Sequence, residues 1–185
     1  MELTTIDSSY VLSKLRTDEE GNYLTTLPQG KSYAFSVNRK GYLFYSENFT
    51  MQANQNDSPM VVNIGLQPLE KGSSIILKNI FFESKKFELQ TTSFTELNKV
   101  AELLKDNPSL TIQISGYTDN VGKPADNLLL SVNRAKAVVT YLQSKSIDSK
   151  RLTGKGFGES NAIAPNSTEV GKSQNRRTEL SVISN

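Results

Sequence analysis

The chain has 185 residues, 22% of them charged and 36% apolar, with a net charge of +2 and neither cysteine nor histidine. Without cysteine there is no disulfide framework and no thiolate metal site; without histidine there is no His-dependent triad, no His-ligated zinc and no ordinary general base near neutral pH. No stretch approaches the roughly 20 apolar residues that span a bilayer.

Residues 1–5 are polar and lack the basic and apolar regions of a secretory signal, so a signal is expected to be absent or already removed. Charge is unevenly divided. Residues 1–70 carry five Lys/Arg against eight Asp/Glu, a balance of −3, and residues 71–185 carry sixteen against eleven, a balance of +5. The second part can attract anions but lacks the dense basic stripe of a nucleic-acid binder.

Residues 1–66 read as a small all-β sandwich, because short runs of Val, Tyr, Phe and Thr alternate with turn signals. Tyr10-Val11-Leu12 begins one strand, and Gly21-Asn22 and Leu27-Pro28-Gln29-Gly30 mark turns. Residues 33–37 alternate as a half-buried strand does, 41–45 read as the next, 52–59 as a polar loop and 61–66 as a closing strand. Residues 67–73 read as a short polar linker.

The pattern then changes to alternating strands and helices. Residues 75–82 read as a strand, and Ser93 with Glu96 has the spacing of a capping box. Phe94, Leu97, Ala101 and Leu104 follow at helical spacing, and Pro108 stops the helix. Residues 110–115 alternate as a strand, and Pro124 can open a second helix. Leu128, Val132, Ala135, Val139 and Leu142 form the face of that helix expected to pack on a sheet. Residues 152–157 and 178–183 supply two more strands. The order β-α-β-α-β-β over 74–185 predicts a two-layer α/β sandwich with a mixed sheet, making the whole chain α+β.

The chemistry concentrates around Asp119, in a turn after a predicted strand, and Arg134, 15 positions later on the second helix. Ser131 and Asn127, at i−3 and i−7 from Arg134, are expected to share its polar face. A carboxylate facing an ammonium and a guanidinium forking onto a carboxylate would hold a zwitterion through charge-assisted hydrogen bonds. Taken alone, the two residues could equally pair with each other or cap nearby backbone.

Two resemblances add to this reading. Thr17-Asp18, Gly21, Tyr23, Leu27-Pro28, Gly30 and Gly41-Tyr42 resemble the carboxypeptidase regulatory-like β-sandwiches, which have a structural role and usually begin a strand or two earlier. Residues 75–183 closely resemble the OmpA-like C-terminal domain, the peptidoglycan-binding module of envelope proteins. That match runs through Asn79-Ile80-Phe81-Phe82, Ser115-Gly116-Tyr117-Thr118-Asp119-Asn120, Asn127, Leu130-Ser131 and Arg134-Ala135. It continues through Gly156-Phe157-Gly158-Glu159, Gly171 and Asn175-Arg176-Arg177.

The resemblance implies that Asp119 takes the ammonium and Arg134 the carboxylate of diaminopimelate in the peptidoglycan stem peptide, supported by Asn127, Arg176 and the backbone at Thr118. It implies a non-catalytic anchor, without metal or cofactor, in the periplasm of a Gram-negative bacterium at the outer membrane and cell wall, with peptidoglycan and other envelope proteins as expected partners. Two positions depart from the family pattern. Tyr117 stands where His is common, and Lys85, after Glu83, stands where Asp or Asn is common; Lys85 and Glu83 are carried as candidate contacts to the peptide.

Other motifs point elsewhere less well. Gly154-Lys155-Gly156-Phe157-Gly158 lacks the Gly-Lys-Ser/Thr ending and following helix of a phosphate loop. Residues 18–22 lack the twelve-residue calcium pattern. A wall-cleaving enzyme would need a metal or a pair of placed carboxylates, and Glu83 with Asp119 makes a poor pair. A nucleic-acid binder would need paired sheet aromatics, which Phe81 and Phe82 lack. The alternative that keeps the fold is a protein-docking envelope module without the ligand.

Overall fold

The computed structural model describes residues 2–5, 11–52 and 61–185, so Tyr10 and most of the expected 52–59 loop fall outside the described residues. The N-terminal region is all-β. Strands β1 (Glu2–Thr5), β2 (Val11–Lys14), β3 (Ser32–Val37) and β4 (Tyr45–Thr50) form one antiparallel sheet in the order β2-β1-β3-β4. No second sheet faces it among the described residues.

The two-residue period of β3 divides its side chains between two environments. Tyr33 and Phe35 enter an aromatic cluster with Tyr23, Leu27, Tyr45, Phe49 and Ile64. Ser36, pointing the other way, is buried and accepts from Lys99 Nζ at 2.6 Å. The expected strand at 41–45 begins instead at Tyr45, because Leu43 and Phe44 leave the sheet and enter the core of the C-terminal unit. Residues 61–66 do not form the expected closing strand. Their chain is held by Tyr23, whose hydroxyl donates to the Val62 carbonyl at 2.9 Å, and by Ile64 against the aromatic cluster.

Residues 67–73 are tied down at several points. The Leu43 N–H donates to the Gln67 carbonyl at 2.8 Å, the Leu69 N–H donates to the Gly41 carbonyl at 2.9 Å, and Leu69 is buried in the C-terminal core.

The C-terminal unit contains β5 (Ser74–Ile76), α1 (Phe94–Asp106), β6 (Thr111–Gly116), α2 (Pro124–Ser144), β7 (Leu152–Gly156), α3 (Glu169–Asn175) and β8 (Thr178–Ser184). Its sheet runs β5-β8-β6-β7, with β6 and β7 parallel and the other pairs antiparallel, which is the mixed α+β arrangement expected. Leu97 and Leu104 of α1, Val138 and Leu142 of α2, and Ile112, Ile114 and Leu180 of the sheet share one core.

Three local expectations are corrected. The strand expected over 75–82 ends at Ile76, after which Leu77 and Asn79 turn inward. The capping box does not form, because both of its side chains are used elsewhere. Ser93 Oγ accepts from the Phe81 N–H at 2.8 Å, and Glu96 is buried with bonds from Ser46 and Asn79. On α2 the inward stripe is Asn127, Ser131, Ala135, Val138 and Leu142, one residue out of phase with the expected start at Leu128, which is exposed. Helix α3 was not expected; its signal is Thr168, whose side chain accepts from the Gly171 N–H.

The two regions meet across α1. Ser46 Oγ and Asn79 Nδ2 both donate to Glu96 Oε2, Asn48 Nδ2 donates to the Lys78 carbonyl at 2.9 Å, and Lys78 pairs with Glu47. Glu96 Oε1 is buried without a partner. Burial pushes the Glu96 acid above its ordinary range, against the opposing hydrogen bonds of Ser46 and Asn79 and the charge of Lys99.

A raised folded-state pKa gives stability that is complete below the unfolded value of about 4.3 and is lost as pH climbs through the folded value. Glu96→Gln, neutral at every pH, should therefore unfold with wild type near pH 4 and at increasingly higher temperature than wild type up to pH 8. Equal midpoints at all pH values would contradict this. Phe44, fully buried at 1% exposure, should cost about 3–5 kcal/mol when changed to alanine, read by denaturant unfolding of the C-terminal core.

Candidate functional site

The site is set by how closely α2 lies on the sheet. A Cβ on Gly116 would stand 2.4 Å from the Ser131 carbonyl oxygen, one on Gly156 2.3 Å from the Val132 nitrogen, and one on Gly158 3.0 Å from the Leu128 nitrogen. No side chain fits between helix and strands there. Ser131 Oγ completes the contact by accepting from the Gly158 N–H at 2.8 Å and donating to the Leu128 carbonyl at 2.7 Å. This is why small polar residues occupy the first turns of the inward stripe, and it brings Asn127 against the loop after β6.

That loop presents Asp119, which is 8% exposed. Asp119 Oδ1 accepts from the Val121 N–H at 3.1 Å, and Oδ2 pairs with Arg176 Nη1 at 2.6 Å. Thr118 fixes the backbone, its N–H donating to the Gly158 carbonyl at 2.8 Å and its hydroxyl to the Asp119 carbonyl at 2.8 Å. Asn127 Nδ2 reaches the Asp119 carbonyl at 3.3 Å and Glu159 Oε2 at 2.8 Å. Gly122, at φ +105°, gives the loop a turn that other residues rarely adopt.

Arg176 owes its place to Asn175. The buried Asn175 amide accepts from the Ile163 and Ala164 N–H groups at 2.8 and 3.1 Å and donates to the Ala164 carbonyl at 2.8 Å. Arg177 turns away from Asp119. It lies 3.7 Å over the Tyr117 ring, donates through Nε to Glu179 at 2.6 Å, and Tyr117 stacks on Phe157 at 5.1 Å. Tyr117, where the family commonly has His, is therefore an element of packing at the end of β6.

Arg134 is anchored to a different loop. Its Nε donates to the Lys86 carbonyl at 3.0 Å, its Nη2 to the Glu83 carbonyl at 3.3 Å, and its guanidinium lies 4.9 Å over the Phe82 ring. Burial first, then the like charge of Arg176, lower its ionisation from the ordinary arginine range, while Asp119 opposes them. Arg134 is thus electrostatically coupled to the Asp119–Arg176 pair without bonding to either.

Of the sequence candidates, the structure brings Thr118, Asp119, Asn127 and Arg176 together and places Arg134 over the turn formed by 83–86. Glu83 meets Arg134 through its backbone; its carboxylate pairs with Lys86. Lys85 is exposed at φ +58°, in a turn closed by the Lys86 N–H on the Glu83 carbonyl at 3.0 Å. Glu83 and Lys86 also border a cleft of about 650 Å³ that extends to Thr91 and Thr92. Glu159, not among the sequence candidates, joins the group around Asp119: it closes the motif Gly156-Phe157-Gly158-Glu159, and its bond to Asn127 has no local signal. Among the described residues no cluster of His, Cys, Asp and Glu could hold a metal ion, and no helix is long and apolar enough to cross a membrane.

A mixed four-stranded sheet with α2 laid on glycines, and an acid and a guanidinium at the strand ends, defines a class of small α+β domains that has been seen before. The peptidoglycan-associated lipoprotein of Burkholderia pseudomallei shares the fold at 28% identity and a TM-score of 0.53, over 56% of this chain and 87% of that one. The chain belongs to the OmpA family, whose model matches residues 81–176. It is 36% identical over 121 residues to the probable lipoprotein YiaD of Escherichia coli K12, covering 64% of this chain and 55% of YiaD. It is 38% identical over 103 residues to the peptidoglycan-binding protein ArfA of Mycobacterium tuberculosis H37Rv, covering 56% of this chain and 32% of ArfA. The chain thus spans about half of one of these relatives and a third of the other. The family match covers none of residues 1–80 and so gives no support to the regulatory-like resemblance there.

Gly156→Ala should force α2 off β7 and cost about 1–3 kcal/mol in denaturant unfolding. Gly154→Ala is the control, because its Cβ would meet a Val139 methyl at 3.2 Å and the Ala135 backbone only at 3.5 Å, and it should cost clearly less.

Proposed function

We propose that this chain binds peptidoglycan non-covalently, without catalysis, through diaminopimelate in the stem peptide. The observation that carries the reading is that a member of the OmpA family presents a nearly buried carboxylate, Asp119, and, unbonded to it, a preset guanidinium, Arg134. Asp119 takes the ammonium of diaminopimelate and Arg134 a carboxylate, with Arg176, Asn127 and the Thr118 backbone in support. Lys85 and Glu83 stand at the rim, where the exposed Lys85 can meet a peptide carboxylate. The names of ArfA and of the lipoprotein from Burkholderia support a wall ligand, and YiaD supports an envelope location. On this reading the protein works in the periplasm, holding an outer-membrane or periplasmic assembly to the cell wall. Residues 1–66 then form a β domain fixed to the binding domain at 74–185, a surface on which other envelope proteins could dock.

One observation favours the second reading, a docking module without ligand: both oxygens of Asp119 and two guanidinium nitrogens of Arg134 already have protein partners. Sedimentation with purified peptidoglycan separates the two. Wild type should co-sediment; Asp119→Asn and Arg134→Ala should each lose at least about tenfold in affinity, the loss of one charge-assisted bond. Full binding by both variants would overturn the site. In calorimetric titration diaminopimelate should bind more tightly than lysine, which lacks the second carboxylate, and Arg134→Ala should remove that preference.

A further inference from the structure

The carboxylate assigned to the ammonium is already heavily engaged. Asp119 shares one oxygen with Arg176 and the other with a backbone N–H. Arg134 adds a second positive charge, felt at the site through its coupling to Arg176 and Asp119. Two guanidinium groups around one carboxylate leave a local excess of positive charge, which repels an arriving ammonium.

Glu159 redresses the balance. It is half-buried beside the site, and its Oε2 accepts from Asn127 Nδ2 at 2.8 Å, the same nitrogen that reaches the Asp119 carbonyl at 3.3 Å. One amide therefore bridges Glu159 to the loop that carries Asp119. The ion pairs among the described residues join Lys78, Lys86, Lys172, Arg176 and Arg177 to other acids and leave Glu159 without a cation. A partly buried carboxylate with no cationic partner, tied through Asn127 to the loop that carries Asp119, is poised to receive an ammonium.

We propose that Glu159 is a specificity-determining residue of this site, receiving the ligand's ammonium jointly with Asp119 and so selecting a free amine over an acylated one. The inference rests on the diaminopimelate reading and deepens it. Glu169, the other acid coupled to Arg176 and Asp119, is neutralised by Lys172 at 2.8 Å, so Asp119 and Glu159 are left to offset Arg134 and Arg176.

A purely structural role, orienting Asn127, must be separated from charge recognition. Glu159→Gln does this, because a Gln carbonyl can still accept from Asn127 Nδ2 while the charge is gone. Calorimetric titration would use a tripeptide ending in diaminopimelate with its side-chain amine free, and the same peptide with that amine acetylated. Glu159→Gln should bind the free-amine peptide about tenfold more weakly than wild type and the acetylated peptide equally well. Unchanged affinity for the free-amine peptide would overturn the proposal, as would an equal loss for both peptides, which would mark Glu159 as structural only. Wild type that binds neither peptide would remove the diaminopimelate reading itself; wild type that binds normally beside an unaffected Glu159→Gln removes only the role of Glu159.

Discussion

The contact between the first turns of α2 and the glycines of β6 and β7 governs the site. Helices ordinarily rest on sheets through layers of side chains. Here the helix comes into backbone contact with the strands at Gly116 and Gly156 and with the turn after β7 at Gly158, where Ser131 is a hydrogen-bonded pin. The loop after β6 is therefore drawn under Asn127, and the guanidinium two turns along α2 falls over the 83–86 turn. Spread the two layers by the width of a methyl group and Asn127 loses its hold on both Asp119 and Glu159. The geometry of the polar groups depends on the absence of side chains beneath them.

The second constraint is the polar seam between the N-terminal sheet and α1. A buried carboxyl is an unusual choice for such a seam, because apolar residues of like volume are often at least as stabilising. What Glu96 adds is direction: Ser46 and Asn79 can both donate to it only in one register of the sheet against the helix. Leu43, Phe44 and Leu69 supply the apolar area, and the carboxyl supplies the register.

Much of the C-terminal unit was legible because its elements are locally consistent. Residues 110–115 alternate, Pro124 opens α2 and Pro108 follows α1, each as backbone chemistry requires. The misreadings share one cause, the use of a side chain by a distant segment. Ser93 and Glu96 have capping-box spacing, but Phe81 and Ser46, far away in sequence, claim them. Leu43 and Phe44 look like strand residues because they are apolar, yet the core that takes them belongs to the other unit. Leu128 reads as core by periodicity, while the glycines opposite admit only Asn127 and Ser131. Asp119 and Arg134 stand out through motif spacing; Glu159 lies in the motif Gly156-Phe157-Gly158-Glu159, but its bond to α2 is one that no local pattern encodes.

Leu43 and Phe44 also determine how the molecule would carry a load. A pull entering through the N-terminal sheet and resisted in the C-terminal unit cannot be absorbed by a slack tether at 67–73. It must first shear the backbone bonds from Leu43 to Gln67 and from Leu69 to Gly41, and draw Phe44 out of the core that also supports α2. Tension along the chain would thus reach α2 through packed side chains, Phe44 among them, rather than through a slack tether.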